Sequence, residues 1–424
     1  MDYKEYLDNK KWYQIEGKEL LLTEKHACLF FSPGKGKTYP VIEAMQEIDK
    51  KKGGNANILI ISSADAIRKM WQVDIVPQKI LPKNTFLVTD RTAIGDMSEV
   101  LLRRKWDIIL VDECHIIKAH NSKIHKLVLR LCKNVEYAWG LTGTPRGNND
   151  IDIWCQLQAL NVAGQGKFSY TAWTRAYCEF DVGYSQHGKF QKPTKIKEKY
   201  NESWQKMLSK YCMFVDYEDD DYMPRLEVQT LEIPYTKTKE YDDAFQGIIS
   251  VGDFATTTEK VVAINKAQQV CNGYIYLPDK TIHRYHQNNK LQYLDDLRDY
   301  RCVIVYKYIA DYEDLMSYYS STVATDDINA FKNGDYEILL LQCGNCKSFN
   351  LQDYCHQIIF YTMDYSFIKY KQMIHRCWRL GQNVDTEVLV LIHKGTVEEN
   401  IWRAVRTKKE MHDLYMSITH MTEE

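Results

Sequence analysis

Short apolar runs separated by longer amphipathic segments place the strongest constraint on the fold of this chain. Continuous apolar strands bounded by polar turns are typical of parallel sheets that are covered on both faces. Segments 38–50 and 120–133 have helical spacing, so the order of elements predicts β-α-β units. The apolar runs of the first half are ACLFF (27–31), ANILIIS (56–62), TFLVT (85–89), WDIILV (106–111) and YAWGLT (137–142).

The second half repeats this alternation, with a helix expected at 290–300. Its apolar runs are CVIVYKY (302–308), EILLLQC (337–343), QIIFYT (357–362) and EVLVLIH (387–393). Between the halves, residues from about 150 to 285 contain few strand-like runs, and we expect mostly helical insertions there. The acidic residues 218–221 and the following Pro224 indicate a boundary, because like charges and proline disfavour regular structure. We therefore predict an α/β protein of two parallel-sheet lobes, 1–225 and 226–424.

Composition favours a cytoplasmic protein with reduced thiols. The chain is 45% hydrophobic and 26% charged, the N-terminal residues have no signal-peptide core, and no apolar run approaches the ~20 residues that a membrane span needs. Its 12 cysteines are scattered, and the Cys343–Cys346 pair has no second pair at a spacing suited to zinc.

The net charge of −2 implies that any polynucleotide-binding surface is local, because proteins that coat nucleic acid are usually basic overall. The stretch from Lys189 to Lys199 holds five lysines and one glutamate. This run is a candidate for such a surface, and it is equally typical of a solvated loop.

The run 27–31 leads directly into the string SPGKGKT, residues 32–38, and a helix is expected to follow. Glycines let backbone N–H groups close around a phosphate, and the helix N-terminus adds positive potential. Lys37 is predicted to bridge the β- and γ-phosphates of a nucleotide, and the hydroxyl of Thr38 to ligate magnesium. The strict phosphate-loop pattern fails at its first position, which is Phe31. The candidate nucleotide-binding residues are Gly34, Lys35, Gly36, Lys37 and Thr38.

Asp112 and Glu113 follow the apolar run 106–111, where an open parallel sheet places its ligands. Asp112 is predicted to hold magnesium, and Glu113 to orient or deprotonate the attacking water. The glycine loop and this carboxylate pair, in this order, predict an ATPase that uses ATP and Mg²⁺.

Three further side chains are candidates for the same site. Gln14 could read the adenine edge through its amide, although a surface glutamine is the ordinary interpretation. Arg376 and Arg379 are three residues apart and share one face if the segment is helical. Two guanidinium groups would neutralise charge developing in the transition state; surface arginines that stack on Trp378 are the alternative.

Taken together, these strings resemble the superfamily-two helicases and translocases, and most closely the Swi/Snf-type branch of double-stranded DNA translocases. The adenine-reading glutamine of that family matches Gln14, and its phosphate loop matches 31–38 except at Phe31. Its D-E-x-H box matches residues 112–115. Its third motif matches LTGTP (141–145), where Thr142 and Thr144 are expected to couple nucleotide state to the polynucleotide.

The second half carries the remaining motifs of this resemblance. The pattern Q-x-x-x-R-x-x-R-x-G-Q fits Gln372, Arg376 and Arg379 together with Gly381 and Gln382. VIVYKY (303–308) resembles the fourth motif, and HKGTVEENI (393–401) resembles the segment that follows the sixth. The fifth motif departs from the family, because Ser348 and Phe349 stand where glycines usually precede Asn350.

The resemblance implies two RecA-like lobes that hydrolyse ATP between them and move along duplex DNA with little sequence preference, in a minimal motor of the bacterial or phage kind. Replication or recombination proteins are possible partners. Catalytic roles are expected for Lys37, Asp112, Glu113, Gln372, Arg376 and Arg379. The residues expected to contact DNA or couple to it are Ser62, Ser63, Thr89, Thr142, Thr144 and Asn350, although hydroxyls at strand ends are also ordinary helix caps.

Two alternatives remain open from the sequence. A strand-separating DNA or RNA helicase would need a wedge element, which the segment 150–285 has room to hold. An ATP-switched clamp that binds DNA or a protein without stepping would hydrolyse ATP slowly, with little stimulation by DNA.

Overall fold

The computed structural model describes residues 3–146, 150–185, 188–216, 224–251, 254–257, 260–286, 288–299, 301–344, 349–379 and 382–407. These residues form two compact units, the first ending at 216 and the second beginning at 224. We propose that these units correspond to the two predicted domains. Among the described helices, none is long and apolar enough to cross a membrane.

Unit 1 is built on a six-stranded parallel sheet. The strands of unit 1, including two that form a separate hairpin, are β1 (His26–Phe31), β2 (Ile58–Ser62), β3 (Thr85–Thr89), β4 (Ile108–Asp112), β5 (Tyr137–Leu141), β6 (Cys178–Ser185), β7 (Gly188–Ile196) and β8 (Cys212–Val215). Its helices are α1 (Tyr3–Asp8), α2 (Trp12–Glu24), α3 (Thr38–Lys51), α4 (Ala64–Ala66), α5 (Asp90–Ile94), α6 (Ser98–Arg103), α7 (Lys123–Cys132), α8 (Asp150–Ala159), α9 (Tyr170–Tyr177) and α10 (Asn201–Tyr211). Helix α4 continues directly into a π-helix, Ile67–Ile75.

The sheet order is β3-β2-β4-β5-β1-β8, and every neighbouring pair is parallel. Strand β1 shows why the apolar runs are continuous, since its side chains alternate between two cores. Phe30 packs into the core on one face of the sheet, whereas Leu29 and Phe31 pack into the core on the other. Parallel pairing also places the carboxyl ends of β1 and β4 at the same edge, with β5 between them.

The segment after residue 150 differs in part from the mostly helical expectation. Helices α8, α9 and α10 are present, but β6 and β7 form an antiparallel hairpin, and β8 joins the main sheet beside β1. The hairpin strands, CEFDVGYS and GKFQKPTKI, are polar, and β8 has only four residues. The two hairpin strands lack the continuous apolar signal on which the prediction depended, and the apolar run of β8, CMFV, is only four residues long.

Unit 2 repeats the architecture with a second six-stranded parallel sheet, in the order β15-β16-β14-β17-β18-β9. Its strands are β9 (Leu226–Ile233), β10 (Ile248–Val251), β11 (Phe254–Thr257), β12 (Tyr274–Tyr276), β13 (Ile282–Arg284), β14 (Cys302–Tyr306), β15 (Ala324–Thr325), β16 (Ile338–Gln342), β17 (Gln357–Phe360) and β18 (Thr386–His393). Its helices are α11 (Lys239–Phe245), α12 (Lys260–Cys271), α13 (Leu291–Leu297), α14 (Ile309–Tyr318), α15 (Ile328–Asn333), α16 (Phe367–Cys377) and α17, residues 397–407.

The lead-in to the second sheet also contains strands that the sequence did not indicate. Strand β9 pairs with β18 over eight residues, and the short pairs β10–β11 and β12–β13 are antiparallel. Strand β9 alternates apolar and polar residues because it is at the edge of the sheet. The chain thus has the predicted α/β fold of two RecA-like lobes in tandem, with insertions that contain both helices and strands rather than mostly helices.

Candidate nucleotide site

The glycine loop connects β1 to α3 at the carboxyl edge of the first sheet. Gly34 and Gly36 have positive φ angles of 94° and 69°, a conformation that side chains disfavour. A Cβ atom on Gly36 would lie 2.5 Å from Nε2 of Gln14. The backbone conformation therefore favours glycine at position 36, and a side chain there would displace the amide of Gln14.

Gln14 is buried against this loop. Its Nε2 donates to the carbonyl oxygen of Lys35 at 3.1 Å, and its Oε1 accepts from the backbone N–H of Lys11 at 3.0 Å. The structure therefore places the predicted adenine-reading residue beside the phosphate loop, with its amide engaged by backbone groups. Its contact with adenine stays a prediction.

Lys35 and Lys37 differ in environment. The ammonium of Lys35 lies 5.2 Å from the ring centroid of Tyr13, and the side chain is buried. Its backbone, rather than its ammonium, is therefore what this position offers to a phosphate. The ammonium of Lys37 lies 3.9 Å from a carboxylate oxygen of Glu113, and Thr38 begins the helix one residue later.

Asp112 ends β4 and is almost completely buried. Its Oδ2 accepts hydrogen bonds from the hydroxyl of Ser62 at 3.1 Å and from Nε1 of Trp71 at 3.0 Å. Its Oδ1 accepts from the backbone N–H of Glu113 at 3.0 Å. Burial raises the pKa of Asp112, and the neighbouring carboxylate of Glu113 raises it further. A cation at this carboxylate would favour its ionised form.

Glu113 has a left-handed backbone, with φ and ψ both 51°. A residue with a side chain adopts this conformation at a cost of about 1–3 kcal/mol, and such strain is common at functional sites. Its Oε2 accepts from the hydroxyl of Thr142 at 3.1 Å and lies 3.2 Å from Nδ1 of His115. Burial alone would raise the pKa of Glu113, but Lys37 and His115 hold it well below its ordinary value. The side chain is therefore an ionised carboxylate with a fixed orientation.

The LTGTP segment supports this arrangement. A Cβ atom on Gly143 would lie 2.7 Å from Cδ of Pro33, so the segment packs directly on the glycine loop. The hydroxyl of Thr142 also accepts from the backbone N–H of Thr144 at 3.1 Å. Both threonines are buried. Thr142 thus contacts Glu113 directly and Thr144 contacts Thr142, and their coupling to a polynucleotide stays a prediction.

The three hydroxyls expected to contact DNA each have a hydrogen-bond partner within the chain, and their contact with DNA stays a prediction. Ser62 is fully buried and donates to Asp112. Ser63 accepts from the backbone N–H of Ala66, and Thr89 accepts from that of Thr92. Ser63 and Thr89 are therefore helix N-caps, and Ser62 belongs to the carboxylate site.

Trp71 is a site residue that the sequence analysis missed. It is fully buried, and the π-helix after α4 directs its indole N–H to Asp112. A π-helix hydrogen-bonds from i to i+5 and is most often found at functional sites. No spacing rule for α-helices or strands could predict this contact, because the π-helix changes which side chains share a face.

In unit 2 the motif residues gather around the segment 349–350. Nη1 of Arg376 donates to the carbonyl oxygen of Phe349 at 2.9 Å, and Nη1 of Arg379 donates to Oδ1 of Asn350. Gln372 lies on α16 and is half-buried. Ser348 and Gly381 lie outside the described residues.

The expectation that the two arginines share one helix face is wrong. Helix α16 ends at Cys377, and Trp378 is extended, so Arg379 follows the helix rather than lying on it. Gln382 holds this ending, because its buried Nε2 donates to the carbonyl oxygens of Cys355 and Cys377. Both arginines contact the segment 349–350, Arg376 from within the helix and Arg379 from the chain that follows it. Whether they act on a nucleotide bound at Lys37 stays a prediction.

Comparison with known proteins finds a matching family model and similar relatives. A family model described as SNF2-related domain matches residues 72–268. The SWI/SNF-related matrix-associated actin-dependent regulator of chromatin subfamily A-like protein 1 of Drosophila melanogaster is 22% identical over 407 residues, which cover 89% of this chain and 52% of the fly protein. The chromatin-remodeling ATPase INO80 of Mycosarcoma maydis is 42% identical over 57 residues, or 13% of this chain and 3% of that protein.

Among solved structures, the Sulfolobus solfataricus SWI2/SNF2 ATPase core in complex with dsDNA is 18% identical, with 96% of this chain and 93% of that chain covered and a TM-score of 0.42. This chain spans about half the length of the fly relative. The expectation of a bacterial or phage source finds no support in these similarities. Residues 72–268 of this chain therefore match an SNF2-related domain, and the chain is similar over most of its length to a SWI/SNF-related protein.

Proposed function

We propose that this chain is a nucleic-acid-dependent ATPase that uses ATP hydrolysis to move along duplex DNA. The observation that carries the proposal is the position of Lys37 3.9 Å from Glu113, beside the buried carboxylate of Asp112. A lysine on a glycine loop and two carboxylates at one sheet edge are the groups that phosphoryl transfer requires.

Each residue of this edge has a distinct task in the proposed reaction. The loop backbone and Lys37 bind the phosphates and neutralise their charge. Glu113 is ionised and fixed by Thr142, so it can accept a proton from the attacking water. Hydrolysis then transfers the γ-phosphoryl group to that water and releases ADP and inorganic phosphate.

The residues present fit a magnesium ion. Mg²⁺ prefers oxygen ligands and usually keeps several waters, with one or two protein ligands besides the substrate phosphates. The Thr38 hydroxyl and the Asp112 carboxylate would hold the ion, and Ser62 and Trp71 orient the carboxylate. In the part of the chain that the structure describes, no cluster of three or more His, Cys, Asp or Glu side chains could hold a metal. The ion would stabilise charge on the phosphates.

The choice of DNA as the track is supported by similarity to relatives whose names associate them with chromatin. The net charge of −2 implies that contacts with the phosphate backbone are local, and such contacts are weakly sequence-specific and salt-sensitive. The contribution of Arg376 and Arg379 to the same reaction belongs to this proposal.

The test is the ATPase rate of the full chain without nucleic acid and with single-stranded DNA, duplex DNA or RNA. We expect the largest stimulation by duplex DNA, together with displacement of a third strand from a triplex. Strand separation without triplex displacement would contradict the translocase and favour a helicase. Slow hydrolysis that duplex DNA does not stimulate would contradict the motor and favour a clamp.

A further inference from the structure

The segment 165–211 of unit 1 has a charge that contrasts with the rest of the chain. It contains nine Lys or Arg residues and four Asp or Glu residues, whereas the whole chain has a net charge of −2. The segment comprises α9, the hairpin β6–β7 and α10, and none of its residues was assigned to the nucleotide site. A local excess of positive charge is the electrostatic signature of a polynucleotide-binding surface.

This segment encloses a cavity of about 170 Å³. An engineered protein cavity of about 150 Å³ binds benzene, so the volume suits one six-membered ring. The mouth is accessible, since Phe168 is 38% exposed and Ser203 is exposed. The walls are mainly aromatic and include Phe168, Trp173, Tyr177, Tyr200, Trp204 and Met207.

The aromatic walls are organised by contacts among themselves. The ring centroids of Tyr177 and Tyr200 are 4.9 Å apart in an edge-to-face arrangement, and those of Trp173 and Trp204 are 6.0 Å apart. The indole N–H of Trp204 is buried and has no hydrogen-bond partner among the described residues. A cavity of this kind offers faces for stacking and leaves one donor unsatisfied in its wall.

Lysines stand next to the walls. Lys167, Lys199 and Lys206 are exposed, and each is the chain neighbour of a wall residue. The ammonium of Lys199 also lies 5.0 Å from the ring centroid of Tyr200. An aromatic cavity with cations beside it matches a nucleotide of a single strand, whose base stacks on aromatic rings while its phosphates meet lysines. An aromatic side chain of a partner protein would fill the cavity, but it would bring no phosphate to the neighbouring lysines.

From this combination we infer that the aromatic cavity of residues 165–211 binds one unstacked pyrimidine base of single-stranded DNA, with the neighbouring lysines contacting its phosphates. This inference rests on the proposed function, because it adds a second contact for single strands to a nucleic-acid-dependent ATPase. The size of the cavity favours a pyrimidine over the larger, two-ringed purine.

The test measures binding of labelled oligothymidylate, oligodeoxyadenylate and an abasic oligomer of equal length to the full chain. We expect the tightest binding to oligothymidylate and at least fivefold weaker binding to the abasic oligomer. Tyr200→Ala, which removes a stacking wall, and Ser203→Trp, which fills the mouth from an exposed position, should each weaken oligothymidylate binding fivefold or more. The ATPase rate without nucleic acid should not change.

Tyr137→Ala is the matched control, because Lys25 lies 5.5 Å from the ring centroid of Tyr137, outside the cavity. Oligothymidylate affinity that is unchanged in both cavity variants would overturn the inference, as would equal binding of the abasic oligomer. Competition by uncharged N-acetyltryptophanamide, with binding insensitive to Lys199→Gln and Lys206→Gln, would also overturn it and assign the cavity to a partner protein.

Failure of the proposed function gives a different result. In that case no nucleic acid stimulates ATP hydrolysis by the wild-type chain. If only the inference about the cavity is wrong, duplex DNA still stimulates ATP hydrolysis. The cavity variants then bind oligothymidylate as tightly as the wild type.

Discussion

At the residue scale, Lys37 and Glu113 face each other across 3.9 Å but have separable tasks. Lys37→Ala should weaken ATP binding at least tenfold, because it removes the charge that the phosphates meet. Glu113→Gln should retain ATP binding and lower turnover by about 10²–10⁴, the range for loss of a general base. Binding of a fluorescent nucleotide and steady-state hydrolysis, measured on both variants, separate the two effects. Equal loss of binding in both variants would contradict this division.

Trp71 gives a second prediction at this scale, since its N–H orients the carboxylate of Asp112. A hydrogen bond to a charged group contributes about 1.5–3 kcal/mol, so Trp71→Phe should lower turnover by about 10- to 100-fold and raise the Mg²⁺ concentration needed for half-maximal rate. Trp106→Phe is the matched control, because that buried indole donates to the backbone carbonyl of Leu101 instead. An unchanged magnesium requirement in Trp71→Phe would remove Trp71 from the site.

At the element scale, the end of helix α16 determines where the arginines lie. Arg376 is on the helix and Arg379 follows it, and both donate to the segment 349–350. Arg379→Ala should reduce ATP turnover and leave ATP affinity nearly unchanged, because its charge is expected to act mainly in the transition state. Arg403→Ala, on the exposed face of α17, is the control. Turnover that is equal to the wild-type rate would exclude Arg379 from catalysis.

At the scale of the whole molecule, a buried ion pair ties together distant parts of unit 2. The ammonium of Lys290 lies 2.8 Å from the carboxylate of Glu398 and donates to the carbonyl oxygen of Tyr361. The same carboxylate accepts from the backbone N–H of His393 at 2.8 Å. The contact joins the chain before α13 to β18 and α17, so it fixes the periphery of the second sheet.

This pair predicts an acid-sensitive stability. Burial alone would raise the pKa of Glu398, but Lys290 and His393 lower it from 4.5 to about 2. Its contribution, roughly 3 kcal/mol, is therefore present above about pH 4.5 and lost as the pH falls towards 2. Burial lowers the pKa of His393, so unfolding takes up a proton there and stability already declines below about pH 6.5. Chemical denaturation between pH 7 and 3 should show this decline.

Substitutions distinguish the contribution of the Lys290–Glu398 pair to stability from the other effects of acid on the protein. Lys290→Met leaves a buried carboxylate without its cation and should cost about 3–5 kcal/mol at pH 7. The double variant Lys290→Met with Glu398→Leu should recover much of this loss. A single variant as stable as the wild type would contradict the structural role of the pair.

The two parallel sheets and the position of the loop and carboxylates could be predicted from the pattern of residues alone. Continuous apolar runs are required wherever a strand is covered on both faces, and β1, β2 and β4 are completely or almost completely buried. The loop and the carboxylates then follow the carboxyl ends of β1 and β4, so parallel pairing alone places Lys37 and Glu113 at one edge. The local pattern was sufficient to predict this edge, because buried strands have continuous apolar runs and the loop and carboxylates follow those runs in the chain.

Several features of the site and of the sheets could be found only from the folded structure. The π-helix brings Trp71 to Asp112, the end of α16 separates Arg379 from Arg376, and packing brings the hydroxyl of Ser62 within hydrogen-bond distance of Asp112. The edge strand β9 and the hairpin β6–β7 lack continuous apolar runs because only part of their surface is buried. The contacts of Trp71 and Ser62 with Asp112, and of β9 with β18, join residues far apart in the chain, and such contacts leave no periodic signal in a single sequence.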